Sequence, residues 1–504
     1  MPSAGHRRLE PAAAPSLQIT PRQTDGARVF VTALLVYLLF WNPWLQFSNS
    51  DNFVDAAVSF VDTGRWELVH WRLYEGKDTA TARDGRVVPG VPPGTAAAIV
   101  PLYGAWRAAG GARVTGWAGL EAVNAVAILL LCAPAMALTA VQVGWLAGWL
   151  GATRRGRVLA ALLFAFGTQA FQFGTMLAKE SLTALAITTA LRLALDEGGA
   201  GRRAAAGALA SAAVLLHHSV APLPVLLGLV VVARHGVGAA GAFVAGGVPG
   251  ALALGAYDTW LFGAPWRTSY SAITGLDTRF VTPKPAIVAD FLVGPRGGLV
   301  LYAPFLLAAG AGLAAGWRGA RRSEAALTAV FLAVLLTVGV SWQSQFADRA
   351  SWSHGLGARY LFPALPLLAA FAGPVLERLG PRALALLAVP SLVCGYLGAQ
   401  AGFAPVPNAL PYALKTFVSG TGMSVLFKEA LPAWTGLETL HTMVARPEVS
   451  ARDLLARLPS PEGLQLALHQ VLFLALNAAA LLAVWWVIAR LWRPRALEVP
   501  ACAS

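Results

Sequence analysis

Between Asn49 and Tyr103 the chain reads NSDNFVDAAVSFVDTGRW, then a polar stretch, then DGRVVPGVPPGTAAAIVPLY. Acidic residues here stand just behind the first apolar run, where a membrane helix meets water. A carboxylate at that depth is costly unless it is solvated or used. Asp51, Asp55 and Asp62 fall on one helix face beside Val54, Val58 and Val61. Ser50 or Asp51 can cap that helix and Gly64 can end it. A helix lying on the membrane surface, with Asp51 as N-cap and the other acids solvated, accounts for the spacing. The chemical reading makes Asp51 a general base that takes the proton of an acceptor hydroxyl, with Asp55 one turn further in as its understudy.

Other polar groups interrupt apolar sequence in the same manner. Lys179–Glu180 sits inside FGTMLAKESLTALA, either as a snorkelling lysine beside a helix-starting glutamate or as a pair that holds substrate or a cation. His217 and His218 end an apolar run; adjacent positions point to different helix faces, so a two-histidine metal site does not follow, whereas contact with a phosphate remains open. Arg296 in GPRGGLVLYAP and Arg359 in WSHGLGARYLFPALP each open an apolar span, next to Tyr302 and Tyr360. These arginines either anchor the interface or present their planar fork of donors to a lipid-linked phosphate. PEVSARDLLARLPSPE, with Ser450 and Asp453 as a capping pair, reads as an interfacial amphipathic helix.

The elements that must position these groups are membrane helices. The chain has 504 residues, 57% of them hydrophobic and 12% charged, and apolar runs of bilayer-crossing length recur along it. The alternating short segments of a β-barrel do not occur. Cys132, Cys394 and Cys502 are too scattered for a disulfide framework or a zinc site. The formal charge of +13 resides largely in arginine clusters between apolar runs. That distribution is a topology signal, not a nucleic-acid footprint. The first run lacks a small-residue cleavage site at WNPWLQF and reads as an uncleaved anchor.

With each arginine cluster taken as cytoplasmic, spans are expected at 29–47, 117–150, 158–176, 181–197, 204–217, 221–234, 236–257, 298–317, 324–341, 360–377, 383–400 and 463–489. The fold class is therefore an all-α polytopic bundle of about twelve spans with both ends cytoplasmic. The organisation is a tail (1–28), a first module (29–257), a C-terminal module (258–489) and a second tail (490–504). Loops 48–116, 258–297, 342–359 and 401–462 fall outside, together with Lys77, Lys179, Lys284, Lys415 and Lys428. Residues 92–107 are too short for a comfortable span and are expected to be interfacial or re-entrant.

These residues, in this order, resemble the GT-C class of membrane glycosyltransferases that use polyprenyl-phosphate sugars. The nearest likeness is to the family of protein O-mannosyltransferases and aminoarabinose lipid A transferases. Asp51 matches that family's acid after the first span, Pro92–Pro93–Gly94 its lysine-proline-proline motif, and Glu180 its second outer acid. YDTWLFGAPWRTSY (257–270), GPRGGLVLYAP (294–304) and GARYLFPALPLL (357–368) resemble recurring segments of bacterial members. Val91 stands where the family carries lysine, so Arg86, Arg296 or Arg359 would have to supply the charge for donor phosphate. The first acidic motif is a single Asp instead of an Asp-Glu pair, and no cofactor or divalent metal is indicated.

The resemblance implies an inverting, extracytoplasmic transfer from a polyprenyl-phosphate-linked sugar to a glycan, lipid or protein acceptor. Asp51 would be the base, and arginine, lysine or histidine would balance the leaving phosphate. The partners are membrane lipid and these substrates, with no nucleic acid. No nucleotide fingerprint is present, as suits a donor already activated on lipid. The competing class is a polytopic transporter or lipid flippase, which would place its charges nearer mid-membrane.

Overall fold

The computed structural model describes residues 23–45, 48–74, 78–273, 282–295, 297–344, 356–401, 410–411, 413–414, 417, 422–444 and 459–492. Arg296 and the helix expected around Ser450 and Asp453 lie outside these residues. Helix α1 (Gln23–Leu39) begins and ends earlier than the span expected at 29–47. Pro43 follows in WNPW, where a helix cannot continue. Helix α2 (Ser48–Thr63) ends at Gly64, whose φ of +72° is the left-handed stop that the sequence signals.

A 3-10 turn (Trp71–Tyr74) leads to a small antiparallel ribbon, β1 (Thr79–Thr81) with β2 (Val87–Pro89), Ala80 opposite Val88. Helix α3 (Gly94–Ala108) occupies the ambiguous segment at 92–107. One long rod then runs from α4 (Trp117–Ala127) through a π turn (Ile128–Cys132) into α5 (Ala133–Trp149).

The span expected at 158–176 is broken into α6 (Arg154–Phe166) and α7 (Ala170–Thr175). The Thr168 hydroxyl donates to the Phe164 carbonyl at 2.6 Å and accepts from Ala170 N at 3.0 Å, so a side chain takes over bonds that a continuous helix would make itself. Then come α8 (Lys179–Leu195), α9 (Ala200–Leu216), α10 (Pro222–His235), α11 (Val237–Phe262) and α12 (Pro285–Val293). The span expected at 298–317 is also divided, at Pro304, into α13 (Leu299–Tyr302) and α14 (Leu307–Arg318). Helices α15 (Arg322–Ser344), α16 (Leu365–Leu376), α17 (Pro381–Ala401) and a final helix Pro461–Trp492 follow expectation closely.

Among the described residues seven helical stretches are long and apolar enough to cross a bilayer, fewer than the expected twelve. Each of the 17-residue helices α1, α8 and α9 rises about 26 Å, at the short end of what a hydrocarbon core requires. The main core is built where α1, α5, α6, α8 and α16 meet, and it is rich in alanine. Small residues allow backbone-level contact. A Cβ on Gly207 of α9 would stand 1.8 Å from the Phe243 carbonyl of α11, and one on Gly312 of α14 would stand 1.9 Å from the Phe371 carbonyl of α16. A second apolar cluster joins α2, α3 and α4 to Leu177 and to Leu261–Phe262, forming a cap over one end of the bundle. Leu229, Leu252, Leu386 and Trp485 are exposed on outward helix faces, as expected of surfaces that meet lipid.

Candidate active site

Helix α8 starts inside the protein. Its N-cap, Ala178, is extended, and its first two residues, Lys179 and Glu180, are 4% and 0% exposed, so the lysine does not snorkel. Glu180 in the first turn meets the positive end of the helix dipole. Its Oε1 accepts from Arg359 Nε at 2.8 Å, in an ion pair sealed from solvent on both sides. Lys179 Nζ donates to the Tyr270 hydroxyl at 2.8 Å. Burial holds that phenol well above its ordinary pKa, so it stays neutral and accepts the lysine's proton as a hydrogen bond. The charge of Asp78 acts on Lys179, Tyr270 and Tyr360, which places one more acid at the edge of the group.

The histidines are not on a helix, contrary to the sequence expectation. Helix α9 ends at Leu216, His217 is extended, and His218 opens a 3-10 turn, so the two side chains are freed from helical divergence. His217 Nδ1 meets Ser219 Oγ at 2.8 Å, and its ring lies within the fields of Lys179 and Arg359. The His218 ring packs edge-on to Tyr270, with centroids 5.7 Å apart. Both His218 nitrogens are buried with no hydrogen-bond partner among the described residues.

Lys179, Glu180, His217, His218, Arg359 and Tyr360 thus converge from three separate stretches of chain, and Tyr270 joins them from a fourth. Several contacts fix them. Gln169, in the break between α6 and α7, donates to the Gly357 carbonyl at 3.2 Å. Gly357 has a φ of +128°, which a side chain would resist, and a Cβ there would press on Gln169 at 3.0 Å. Phe362, three residues past Arg359, packs edge-on against Phe173 of α7 with centroids 4.8 Å apart. The π turn between α4 and α5 reaches the start of α8, where Cys132 Sγ lies 3.8 Å from the Ala178 carbonyl. Such turns recur at functional sites.

Asp51 is 5% exposed in the first turn of α2. It is therefore within the helix, not its cap, and it does not point into bulk water. The segment before α2 is fastened to the same region as α8. Asn42 N bonds the Thr175 carbonyl at the end of α7 (2.9 Å), and Asn124 of α4 donates to the carbonyls of Pro43 (2.6 Å) and Trp44 (3.1 Å). From the other side, Gly94 of the Pro92–Pro93–Gly94 motif lies against the end of α9, and a Cβ there would be 2.7 Å from the Leu215 carbonyl, two residues before His217. Asn52 donates to the Asp78 carbonyl at 2.9 Å, and Gly90 N does so at 2.7 Å. Asp78 adopts a φ of +52°, so its backbone is held in a left-handed conformation beside this group.

One sequence expectation is corrected. The acids of α2 are not solvated charges. Asp55 is fully buried and binds His70 twice, through the backbone N and through Nδ1, both at 2.8 Å. This bond raises the His70 pKa above its ordinary value and ties the 3-10 turn to α2. Asp55 is thus an anchor, with both oxygens engaged. Asp62 pairs with Arg107 at 2.8 Å and accepts from Tyr103 at 2.9 Å, locking α2 onto α3. Arg86, one of the three arginines considered for donor phosphate, pairs with Asp84 at 2.7 Å in the turn between β1 and β2.

Asp78, Gln169, Tyr270 and Asp258 were not singled out from the sequence. Asp258, near the end of α11, is 1% exposed, and neither of its oxygens has a hydrogen-bond partner among the described residues. An acid in the YDTW segment was the available signal for it.

No protein-family model and no curated protein matches the chain. Solved structures that it resembles include two crystal structures of ArnT from Cupriavidus metallidurans. The structure described as bound to undecaprenyl phosphate is 15% identical, with a TM-score of 0.45 over 91% of this chain and 76% of the other. The structure described as in the apo state is 14% identical, with a TM-score of 0.46 over 90% and 76%.

Proposed function

We propose that this protein is a GT-C-type inverting glycosyltransferase that moves a sugar from a polyprenyl-phosphate donor to an acceptor hydroxyl at the extracytoplasmic face of the membrane. The observation that carries this reading is the buried cluster around Glu180. Two cations, Lys179 and Arg359, are buried here beside two imidazole nitrogens of His218 that have no hydrogen-bond partner among the described residues. Glu180 holds the Arg359 guanidinium through Nε, and the field of Asp78 also reaches Lys179. A phosphate monoester leaving group would bring oxygens that accept hydrogen bonds from lysine, arginine and imidazole donors of this kind. A hydrocarbon tail attached to that phosphate would lie along the apolar helix faces.

Asp51 supplies the base. Its carboxylate takes the proton from the acceptor hydroxyl as the oxygen bonds to the anomeric carbon. The bond from that carbon to the phosphate oxygen breaks on the opposite face, and polyprenyl phosphate departs with its charge balanced by Arg359, Lys179 and histidine. Burial of Asp51 keeps competing water away from the carboxylate.

The test is transfer by purified protein from a panel of synthetic polyprenyl-phosphate sugars to membrane-fraction acceptors. Asp51→Asn is expected to lower turnover by about 10²–10⁴-fold with unchanged insertion and folding. Full turnover in that variant would remove Asp51 as base, and no transfer by the unaltered protein from any donor would defeat the reading.

A further inference from the structure

At the end of the bundle away from Glu180, helices α1, α5, α6 and α8 enclose a cavity of about 390 Å³. Ligand pockets commonly measure about 300–1,000 Å³. Along α8, Arg192 lies twelve residues beyond Glu180, about 18 Å of helix, so this cavity is separate from the candidate active site. Phe30, Leu138, Val141 and Trp145 form its apolar wall. Leu138 is 41% exposed on the outer surface, which opens the wall toward lipid.

The polar lining has an uneven charge. Among the described residues that line it, Arg154, Arg157 and Arg192 meet one acid, Asp25. Arg154 is committed to it, with Nε at 2.7 Å and Nη2 at 2.8 Å from the two carboxylate oxygens. Arg192 donates to Gln142 at 3.2 Å and lies over the Trp145 ring at 5.1 Å. Arg157 pairs with no carboxylate among the described residues. Its stem runs along Gly148, where a Cβ would come within 2.9 Å of its Cδ, so the sequence keeps a glycine where the arginine must pass. Two guanidinium groups with no carboxylate ion pair among the described residues therefore line an apolar cavity.

We propose that this cavity binds one anionic phospholipid from the leaflet opposite the candidate active site. Arg157 and Arg192 hold the phosphate, and the upper acyl chain lies against Phe30, Val141 and Trp145. Basic pockets between transmembrane helices take anionic headgroups in this way. A free phosphate would leave the apolar wall wet, and a zwitterionic lipid would leave the arginine charge unbalanced. The proposal does not depend on the glycosyl-transfer reading.

Native mass spectrometry of the full chain, given equal amounts of phosphatidylglycerol and phosphatidylcholine with matched chains, tests it. The phosphatidylglycerol adduct is expected to exceed the phosphatidylcholine adduct by about fivefold or more. The Arg157→Gln/Arg192→Gln variant should lose the preference, and Arg157→Lys/Arg192→Lys should keep it. Equal adducts on the unaltered protein would overturn the proposal without any variant. So would a preference that survives the glutamine changes, or displacement of the lipid by millimolar inorganic phosphate.

Discussion

The Glu180–Arg359 pair shows why a charged side chain in apolar sequence cannot be interpreted alone. Each group is costly to bury, and the two are tolerated because they neutralise one another. Arg359→Gln should therefore destabilise the protein by about 1–3 kcal/mol, since Glu180 loses its hydrogen-bonded partner and keeps only the field of Lys179. The Glu180→Gln/Arg359→Gln double variant should be closer to the unaltered protein than Arg359→Gln is, as measured by thermal unfolding in detergent. Additive losses would mean that the pair carries no coupling. The His70–Asp55 bond allows a pH test. Because its folded pKa is raised, protonated His70 contributes stability below the ordinary histidine pKa of about 6.5 and loses it as pH rises through the folded value. His70→Ala should remove that loss from the unfolding profile while leaving sugar transfer intact. An unchanged profile would show that the bond contributes nothing.

At the scale of elements, the site is assembled by interruptions. The break at Gly167–Gln169 frees Gln169 to hold Gly357, and the turn at His217 frees two rings from α9. Gln169→Leu keeps the size but loses the amide donor to Gly357. The Arg359 loop should then loosen, raising the apparent KM for the lipid donor more than it lowers kcat. A pure kcat effect would contradict a positioning role for Gln169. The expected spans at 158–176 and 298–317 were continuous because apolar run length and arginine placement were the guides. A threonine hydroxyl competing for a backbone carbonyl, and a proline at 304, decided otherwise. Helix α2 was legible because Gly64 marks its end and its acids share one face. The fate of those acids was not, because their partners His70, Tyr103 and Arg107 come from segments that only folding brings near.

For the whole molecule, the arrangement of α8 puts Glu180 and Arg192 at opposite ends of the bundle, so sidedness can be measured. Cysteines placed at Arg65 and Gly199, both exposed, test it in a background with Cys394 and Cys502 changed to serine. Membrane-impermeant maleimide added to intact cells should label position 65 and spare position 199. The reverse pattern would move the candidate site to the cytoplasm and end the extracytoplasmic reading.

Apolar run length, arginine placement and turn residues are local properties, and they suffice to specify a polytopic helical protein with polar residues at helix ends. Which of those residues meet is a different matter. Asp55 became an anchor, Arg86 a turn contact, and Lys179, Glu180, His218 and Arg359 a single buried cluster, with Tyr270 and Asp78 drawn in. Burying a charge becomes affordable only when an opposite charge arrives from elsewhere in the chain, and that pairing is a property of the fold.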